Sequence, residues 1–498
     1  PERITHEKEV LGEGFVRTDP AWHKRANELA VRPNIPLLTN MAKEIADRAR
    51  ARLLKEPAVS DHDAVLYENV VLYYIYNRYE GIFHEYIEAA PPNGNEQPAP
   101  MPFHDAYCRD MDEYLNLKGL TFASLAERDH LFACFYQLRR AFHHIYDKII
   151  GGSAESTRLR AETWQSIFTC DMARYRRSLY ARMNDVATLI MGPSGTGKEL
   201  VARAIAYARY IPFDGKTKRP VEHFAACYCP VNLSELSPSL VESELFGHVK
   251  GAFTGAISDR DGFFEICPAC GAVFLDELGE MDPILQVKLL RLFQDRTFRR
   301  IGETKLRPFR GKIIAATNRN LGKAVRAGLF REDLYYRLCS DIIVTPALRV
   351  QVAGSPEQLQ NLVRHIAQRV AGDEESEGLA VETEAWIAAN LPADYAWPGN
   401  VRELEQCVRN VMVRNAYFPA PAALNDSDDR FVEAVRMGQF TADALLSEYC
   451  RRVYAETGSY AAAAQRLGVD RRTVKGYVDK AREHGLTRTD TGKGGPES

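Results

Sequence analysis

No run of about 18 consecutive apolar residues occurs in the 498 residues, so no membrane-spanning helix of ordinary length is expected. No basic, apolar and then small-residue leader opens the sequence either, which points to a cytoplasmic protein. In such a setting ten cysteines read as reduced thiols or metal ligands, and a disulfide framework is excluded. Charge of one sign is also lacking, with 64 Lys and Arg against 67 Asp and Glu. A net charge of -3 gives no general attraction for nucleic acid, so any DNA contact has to come from a local basic patch. One hydrophobic core does not grow to this length, and about three domains are expected.

The first 165 residues contain apolar and aromatic positions at helical spacing, through Val65–Tyr76 and again from His130 to Tyr146. A helical bundle follows, interrupted by a Pro-rich and Asn-rich loop over 90–102. Eight of the twelve histidines fall here, among them His84 one turn after Glu80, and His143–His144 near Asp147. On facing helices such groups can hold a metal, although hydrogen-bonded histidines on an aromatic core are the commoner arrangement. Only Glu127-Arg-Asp-His130 has the Glu-x-x-His spacing of a carboxylate-bridged bundle site, and two are needed.

Chemistry becomes specific after Val186-Ala-Thr-Leu-Ile-Met191. The apolar stretch runs into Gly192, Pro193, Ser194, Gly195, Thr196, Gly197, Lys198 and Glu199, followed by the helical Leu200–Ala206. A strand, a glycine-rich turn and a helix N-terminus in this order cradle phosphates with backbone N–H groups, and Lys198 reaches the β and γ oxygens of a nucleotide. Glu199 stands where a Ser or Thr is usual, which leaves Mg²⁺ to the second acidic motif and water. That motif is Gly271-Ala-Val-Phe-Leu-Asp276-Glu277-Leu278, a buried strand ending in two carboxylates. Asp276 is expected on the Mg²⁺ shell and Glu277 against the attacking water, the two tasks of ATP hydrolysis. Between these motifs, Gly251, Ala252, Phe253, Thr254, Gly255 and Ala256 spell GAFTGA. Glycine at both ends lets such a loop project an apolar tip, here Phe253, without support from a strand or helix.

GAFTGA with its flanks resembles the signature of the sigma-54-dependent transcriptional activators, the bacterial enhancer-binding proteins. The resemblance covers about 250 residues with the motifs in the right order. It implies an AAA+ P-loop ATPase whose loop touches sigma-54 and moves with the nucleotide state. It also assigns Asn318, after Lys312-Ile-Ile-Ala-Ala-Thr, to sensor I, and Asn232 to the restraint of the catalytic glutamate. Phe330–Leu338 resembles the segment that reaches a neighbouring subunit, making Arg331 and Arg337 arginine-finger candidates. Trp397–Leu404 resembles the lid segment, with Arg402 as sensor II. A finger supplied in trans implies self-assembly, for which this family's usual ring is a hexamer.

Two departures from the family pattern stand out. Thr345–Gln351 lacks charges that relatives often carry, which puts the details of lid coupling in doubt. The other is a pair of cysteine pairs, Cys227 with Cys229 and Cys267 with Cys270, both expected near the N-terminal ends of neighbouring strands. Three readings are open: a structural Zn²⁺ held by four sulfurs, buried free thiols, or a redox switch. Near the end, Tyr460–Val478 reads as a small-residue helix, a turn at Gly468 and a basic helix, resembling the Fis-type helix-turn-helix. Arg471, Arg472, Thr473 and Lys475 are its candidate contacts to double-stranded DNA, a plain helical hairpin being the alternative.

The expected fold is multidomain. A helical regulatory region (1–165) is followed by an α/β AAA+ core (166–345), a helical lid (346–420), a linker (421–438), an all-α helix-turn-helix domain (439–486) and a disordered tail (487–498). The expected function is ATP-driven remodelling of sigma-54 RNA polymerase into open complex by a cytoplasmic, nucleoid-associated ring that binds upstream DNA. The alternatives are an AAA+ remodeller acting on a non-sigma partner, and a passive repressor.

Overall fold

The computed structural model describes residues 2–16, 33–55, 59–91, 94, 96–118, 120–146, 148–235, 237–353, 356–419, 435 and 440–484. The expected tail (487–498), most of the expected linker, part of the 90–102 loop, and Asp147 lie outside the described residues. The chain forms two units, Pro1–Tyr417 and Phe418–Ser498.

The first unit begins with helices α1 (Glu2–Leu11), α2 (Asn34–Leu53), α3 (Asp61–Glu88), α4 (His104–Leu115), α5 (Ala123–Ala126), α6 (Arg128–Tyr146), α7 (Ala154–Phe168) and α8 (Met172–Arg177). Spacing of three and four residues brings Tyr67, Val71, Tyr74, Ile75, Tyr79 and Phe83 of α3 onto buried positions. Ser60 accepts from the Asp63 N–H at 3.1 Å and caps this helix, and Ser153 caps α7 on Ser156 in the same way. Aromatic rings fill the core, including Phe83, Tyr107 and Phe132.

A parallel sheet follows, with strands β1 (Thr188–Met191), β4 (Tyr228–Asn232), β5 (Ala272–Asp276), β8 (Lys312–Thr317) and β9 (Asp341–Val344) in the order β4-β5-β8-β1-β9. Helix α9 (Lys198–Tyr207) connects β1 to a short hairpin, β2 (Phe213–Asp214) and β3 (Arg219–Pro220), which leads to β4. Helices α10 (Pro238–Phe246) and α11 (Phe263–Ile266) lie between β4 and β5. Helix α12 (Pro283–Asp295) and a second hairpin, β6 (Thr297–Phe298) with β7 (Arg307–Pro308), lie between β5 and β8. Helices α13 (Leu321–Arg326) and α14 (Glu332–Leu338) lead to β9.

Both sheet faces are covered, so the central strands are apolar at successive positions rather than alternating ones. Val273, Leu275, Ile313 and Ala315 pack into one layer, and Ala272, Phe274, Ile314 and Ala316 into the other. The core does not break near residue 165. Ile211, Phe213, Phe224 and Cys227 belong to the aromatic core of the amino-terminal helices, and Ala141 and Ile145 of α6 belong to a layer on the sheet. Buried Arg140 of α6 donates to the carbonyls of Tyr207 and Arg209 at 2.7 and 2.9 Å, satisfying acceptors at the C-terminal end of α9 where a cation is favoured.

Lys312, at the start of β8, donates from Nζ to the Val186 carbonyl at 2.7 Å. Complete burial lowers it from 10.5 to about 7, with Asp341 opposing the shift. Between those values the unfolded chain holds a proton that the folded chain does not. Stability should therefore rise with pH through that window, by at most about 1.4 kcal/mol per pH unit. Urea unfolding at pH 7.5 and at pH 9.5 should show this slope reduced in Lys312→Met; an unchanged slope would assign it to other groups.

Helices α15 (Leu348–Val352), α16 (Pro356–Asn390) and α17 (Asn400–Arg414) complete the first unit, α16 being interrupted at Gly372, whose φ is 77°. Their core contains Leu362, Ile366, Trp397, Leu404 and Val408. In the second unit, helices Ala442–Thr457, Tyr460–Leu467 and Arg471–His484 enclose Cys450, Val453, Ala463, Val474 and Val478. Gly468, with φ of 68°, makes the turn between the last two. Arg471, Arg472, Thr473 and Lys475 are all exposed, on either side of buried Val474. No helix among the described residues is long and apolar enough to cross a membrane.

Candidate functional site: a phosphate cradle and a projecting loop

The loop between β1 and α9 contains three glycines with positive φ: 154° at Gly192, 76° at Gly195 and 89° at Gly197. The first two cannot carry a side chain even if the strain were tolerated. A Cβ on Gly192 would collide with Thr345, and one on Gly195 with the Gly399 carbonyl. Thr196 Oγ1 donates to the Pro193 carbonyl at 2.8 Å and lies 2.7 Å from the Thr345 hydroxyl, tying the loop to the end of β9. Lys198 opens α9 and its Nζ donates to the carbonyls of Gly192 and Pro193 at 3.0 and 3.1 Å. Burial lowers its pKa, opposed by Glu277 and Asp276. Glu199 faces outward to Arg203 at 2.5 Å.

The start of α17 clasps this loop. The Val401 N–H donates to the Gly195 carbonyl at 3.0 Å, Asn400 Nδ2 to the Ser194 carbonyl at 2.9 Å, and Arg402 Nη1 to Ser194 Oγ at 3.2 Å. Trp397 and Asn400 hold φ of 49° and 53°, and Trp397 is an unusual residue there. Asn400 Oδ1 also accepts from the Leu348 N–H at 2.8 Å, joining α15 to the clasp. Asn400→Ala removes both bonds and leaves a buried N–H without an acceptor, so we expect a loss of about 2–3 kcal/mol. Urea titration of the full chain measures it, and a loss below about 0.5 kcal/mol would show that the clasp carries little.

The acidic end of β5 lies beside this cradle. Asp276 Oδ1 accepts from the Glu277 N–H at 2.9 Å, and Glu277 adopts φ of 53°. Burial raises the Asp276 carboxyl, and Lys198 and Arg402 oppose this. A divalent cation fits such a carboxylate, next to a lysine and a glycine-rich turn. Asn318 Nδ2 reaches Glu277 Oε1 at 3.4 Å, a long bond.

Asn232 is bonded within its own turn. It is level with Asp276 across the β4–β5 pair, but its amide donates to Glu235 Oε1 at 2.8 Å and accepts from the Ser234 N–H and hydroxyl at 3.1 and 2.9 Å. The turn after β4 folds back on this side chain, and the bonds described for it are to Glu235 and Ser234. Arg331 forms a fork with Asp333, at 3.0 and 2.7 Å, and Arg337 is exposed on the same short helix, α14. Among the described residues neither bonds to the phosphate loop of its own chain.

Gly251 and Gly255, with φ of 80° and 103°, bend the GAFTGA loop, and the Gly251 N–H donates to the Ala256 carbonyl at 2.9 Å to close it. Phe253 is 41% exposed, its ring edge-on to His248 with 5.0 Å between centroids. His248 is held by Ser243 at 2.7 Å and by backbone bridges to Arg260 and Ile301. Ala252 packs against Gly302, where a Cβ would crowd it, and Thr254 is exposed. Beneath the loop, Glu265 accepts from Arg300 and Arg307, which hold its carboxyl below the usual range.

The four cysteines require correction. Cys227 and Cys270 place their sulfurs 3.7 Å apart in the core shared with the amino-terminal helices, whereas Cys229 and Cys267 pack into a layer on the sheet. Cys227 ends a 3-10 turn and Cys229 lies within β4, and this change of backbone sends the two sulfurs into different clusters. Cys227, Cys229, Cys267 and Cys270 therefore do not converge on one tetrahedral Zn²⁺ position. Among the described residues the sets with donor atoms within 4.8 Å of one another are His84–Glu88–His143 and His104–Cys108–Asp129. His84 pairs with Glu88 at 3.1 Å rather than with Glu80. His130 bonds to Tyr210 and to the Arg176 carbonyl at 2.7 and 2.9 Å. The sequence reading did not single out Asn400 or Arg140; Trp397-Pro-Gly-Asn400 offered a signal for the first and nothing local did for the second.

Comparison with known proteins agrees with the motifs. The sigma-54 interaction domain family matches residues 170–343, and the AAA+ ATPase lid domain family matches residues 356–417. The transcriptional regulatory protein ZraR of Klebsiella oxytoca is 38% identical over 58% of this chain and 62% of its own length. The Nif-specific regulatory protein of Enterobacter agglomerans is 44% identical over 46% of this chain and 40% of its own. The chain thus spans about half the length of the curated relatives it matches. The crystal structure of NtrX from Brucella abortus in complex with ATP aligns over 72% of this chain and 75% of that chain, at 24% identity and a TM-score of 0.40. Residues 170–343 thus match a sigma-54 interaction domain and residues 356–417 an AAA+ lid, and over this stretch the chain is similar to the regulators ZraR and the Nif-specific regulatory protein.

Proposed function

We propose that this chain binds and hydrolyses ATP in a self-assembled ring and uses the cycle to drive its GAFTGA loop against sigma-54 RNA polymerase, opening the promoter. The observation that carries the reading is the half-exposed Phe253 tip on a glycine-hinged loop, in the same unit as a phosphate cradle ending in Asp276 and Glu277.

The residues divide the work. Gly192–Gly197 and Lys198 bind the phosphates, with Glu199 turned away. Asp276 would hold Mg²⁺, which when bound would supply charge neutralisation to the nucleotide phosphates. Glu277 accepts the proton of the attacking water and Asn318 orients that carboxylate. Arg402, already on the phosphate loop through Ser194, reports the nucleotide to the lid. Exposed Arg331 and Arg337 serve as fingers in a neighbouring copy, for which a hexamer is the expected ring. Arg471, Arg472, Thr473 and Lys475 on the last described helix bind upstream duplex DNA, the arginines at base edges and Lys475 at phosphate. No observation favours a remodeller of another partner.

Capture of sigma-54 tests the contact separately from catalysis. With nucleotide trapped as ADP–aluminium fluoride, purified sigma-54 should co-elute with the wild-type chain and not with a Phe253→Ala chain. Co-elution that is indifferent to both nucleotide and Phe253 would overturn the reading.

A further inference from the structure

A second donor set lies where the amino-terminal helices meet the β2–β3 hairpin, away from the nucleotide chemistry. His104 opens α4, Cys108 stands one turn later on the same face, and Asp129 lies in the first turn of α6. His104 Nε2 is 2.9 Å from Asp129 Oδ1 and 3.6 Å from Cys108 Sγ, and one ligand atom from each residue falls within 4.8 Å of the others. The imidazole is held in place by aromatic neighbours, with Phe132 edge-on and Phe213 tilted, each 4.8 Å between centroids. A polar cleft of about 410 Å³ opens on these donors, with Arg128 and Lys216 on its walls. Arg128 pairs with Asp112 at 3.2 Å and also hydrogen-bonds the Cys108 thiol, a contact that a metal ion on the sulfur would displace.

We propose that His104, Cys108 and Asp129 bind one divalent transition-metal ion of the zinc class, the cleft leaving its fourth position to water or an outside ligand. In a tetrahedral site with bonds of about 2.0–2.1 Å to nitrogen and oxygen and about 2.3 Å to sulfur, N···S is about 3.6 Å and N···O about 3.3 Å. The observed separations meet the first and fall a few tenths of an ångström short of the second, while Sγ also lies 3.8 Å from Nδ1, so a turn of the imidazole or of the thiol is needed to bring the sulfur onto the Nε2 lone pair. One imidazole, one thiolate and one carboxylate suit a borderline ion such as Zn²⁺ or Co²⁺ better than the harder Mg²⁺ of a nucleotide site.

Position gives the ion a use. It would cross-link α4 to α6 where both already grip the ATPase: Lys218 of the hairpin turn pairs with Asp105 at 2.5 Å, and Gly215 sits so close to Asp129 that a Cβ would strike the carboxylate. From there α6 runs to Arg140 and the C-terminal end of α9, whose other end is Lys198. The alternative set, His84–Glu88–His143, has an exposed carboxylate one turn from its histidine, the spacing of an ordinary helical ion pair, and serves as the control.

The test is titration of the full chain, without nucleotide, with Co²⁺ and then Zn²⁺. We expect one high-affinity Co²⁺ per chain with a thiolate-to-cobalt charge-transfer band in the near ultraviolet, displaced by Zn²⁺. Cys108→Ser should abolish the band, and Asp129→Asn should weaken binding at least about tenfold. Both changes preserve side-chain volume, so the outcome does not depend on the riskier His104→Ala. A band that survives Cys108→Ser, binding lost in His143→Ala instead, or no stoichiometric binding by the wild type would each overturn the assignment.

Discussion

Replacing Glu277 by Gln lowers ATP turnover by about two to four orders of magnitude while nucleotide binding is retained, the span that loss of a positioned general base brings. The substitution keeps the size and the hydrogen-bonding reach of the side chain but removes its capacity to take a proton. The Glu277 N–H on Asp276 Oδ1 belongs to the backbone, so the left-handed turn that aims the side chain stays in place. On the proposed reading the phosphates are held by the glycine loop and Lys198, whose bonds to the Gly192 and Pro193 carbonyls do not involve the Glu277 side chain. Single-turnover hydrolysis with equilibrium binding of a fluorescent nucleotide separates the two quantities. A Glu277→Gln chain that hydrolyses ATP within about fivefold of wild type would remove Glu277 from the base role.

Phe253→Ala should give the opposite dissociation. ATP turnover is expected to stay within about twofold of wild type, while promoter opening falls to background, because the side chain is a half-exposed tip whose ring contact is with His248 and not with the acidic pair. Its one ring contact among the described residues is with His248, which keeps its bonds to Ser243, Arg260 and Ile301 without it. Parallel measurement of phosphate release and of open complex in one reaction reads both quantities. Equal loss of both would mean that Phe253 supports the fold of the motor and is not a contact to the polymerase.

How far the sequence could be read depended on how local the determining physics was. The strand, glycine turn and helix around Lys198 were legible because positive φ at Gly195 and Gly197 and the apolar β1 are set within a dozen residues. The paired carboxylates after β5 were legible for the same reason, since strand and acids are contiguous. Partners set by the exact turn geometry or by packing against distant segments were not. The amide of Asn232 turned to Glu235 and Ser234, three and two residues on, a choice set by the turn after β4 and invisible in the register that puts it beside Asp276. The cysteine spacing suggested a single cluster, and the passage from a 3-10 turn into β4 between Cys227 and Cys229 divided it. Arg140 reads as one more basic residue on α6 until the fold brings the end of α9 against it.

The amino-terminal helices α3 to α6 are bound to the α/β layer by more than sequence continuity. Phe213 and Phe224 complete their aromatic core, and Arg140 and Gln137 hold the carbonyls that follow α9, Gln137 reaching that of Ala208 at 2.9 Å. Any change that repacks these helices would therefore reach the helix that begins at Lys198.

Permanganate footprinting of a promoter held closed by sigma-54 RNA polymerase tests the central claim most directly, with the purified chain and ATP added together. The account predicts reactive, unpaired thymines near the start site that require ATP, the wild-type chain and sigma-54, and that are lost with Glu277→Gln and with Phe253→Ala. A chain that hydrolyses ATP in the same tube at its full rate and leaves the promoter closed would contradict it.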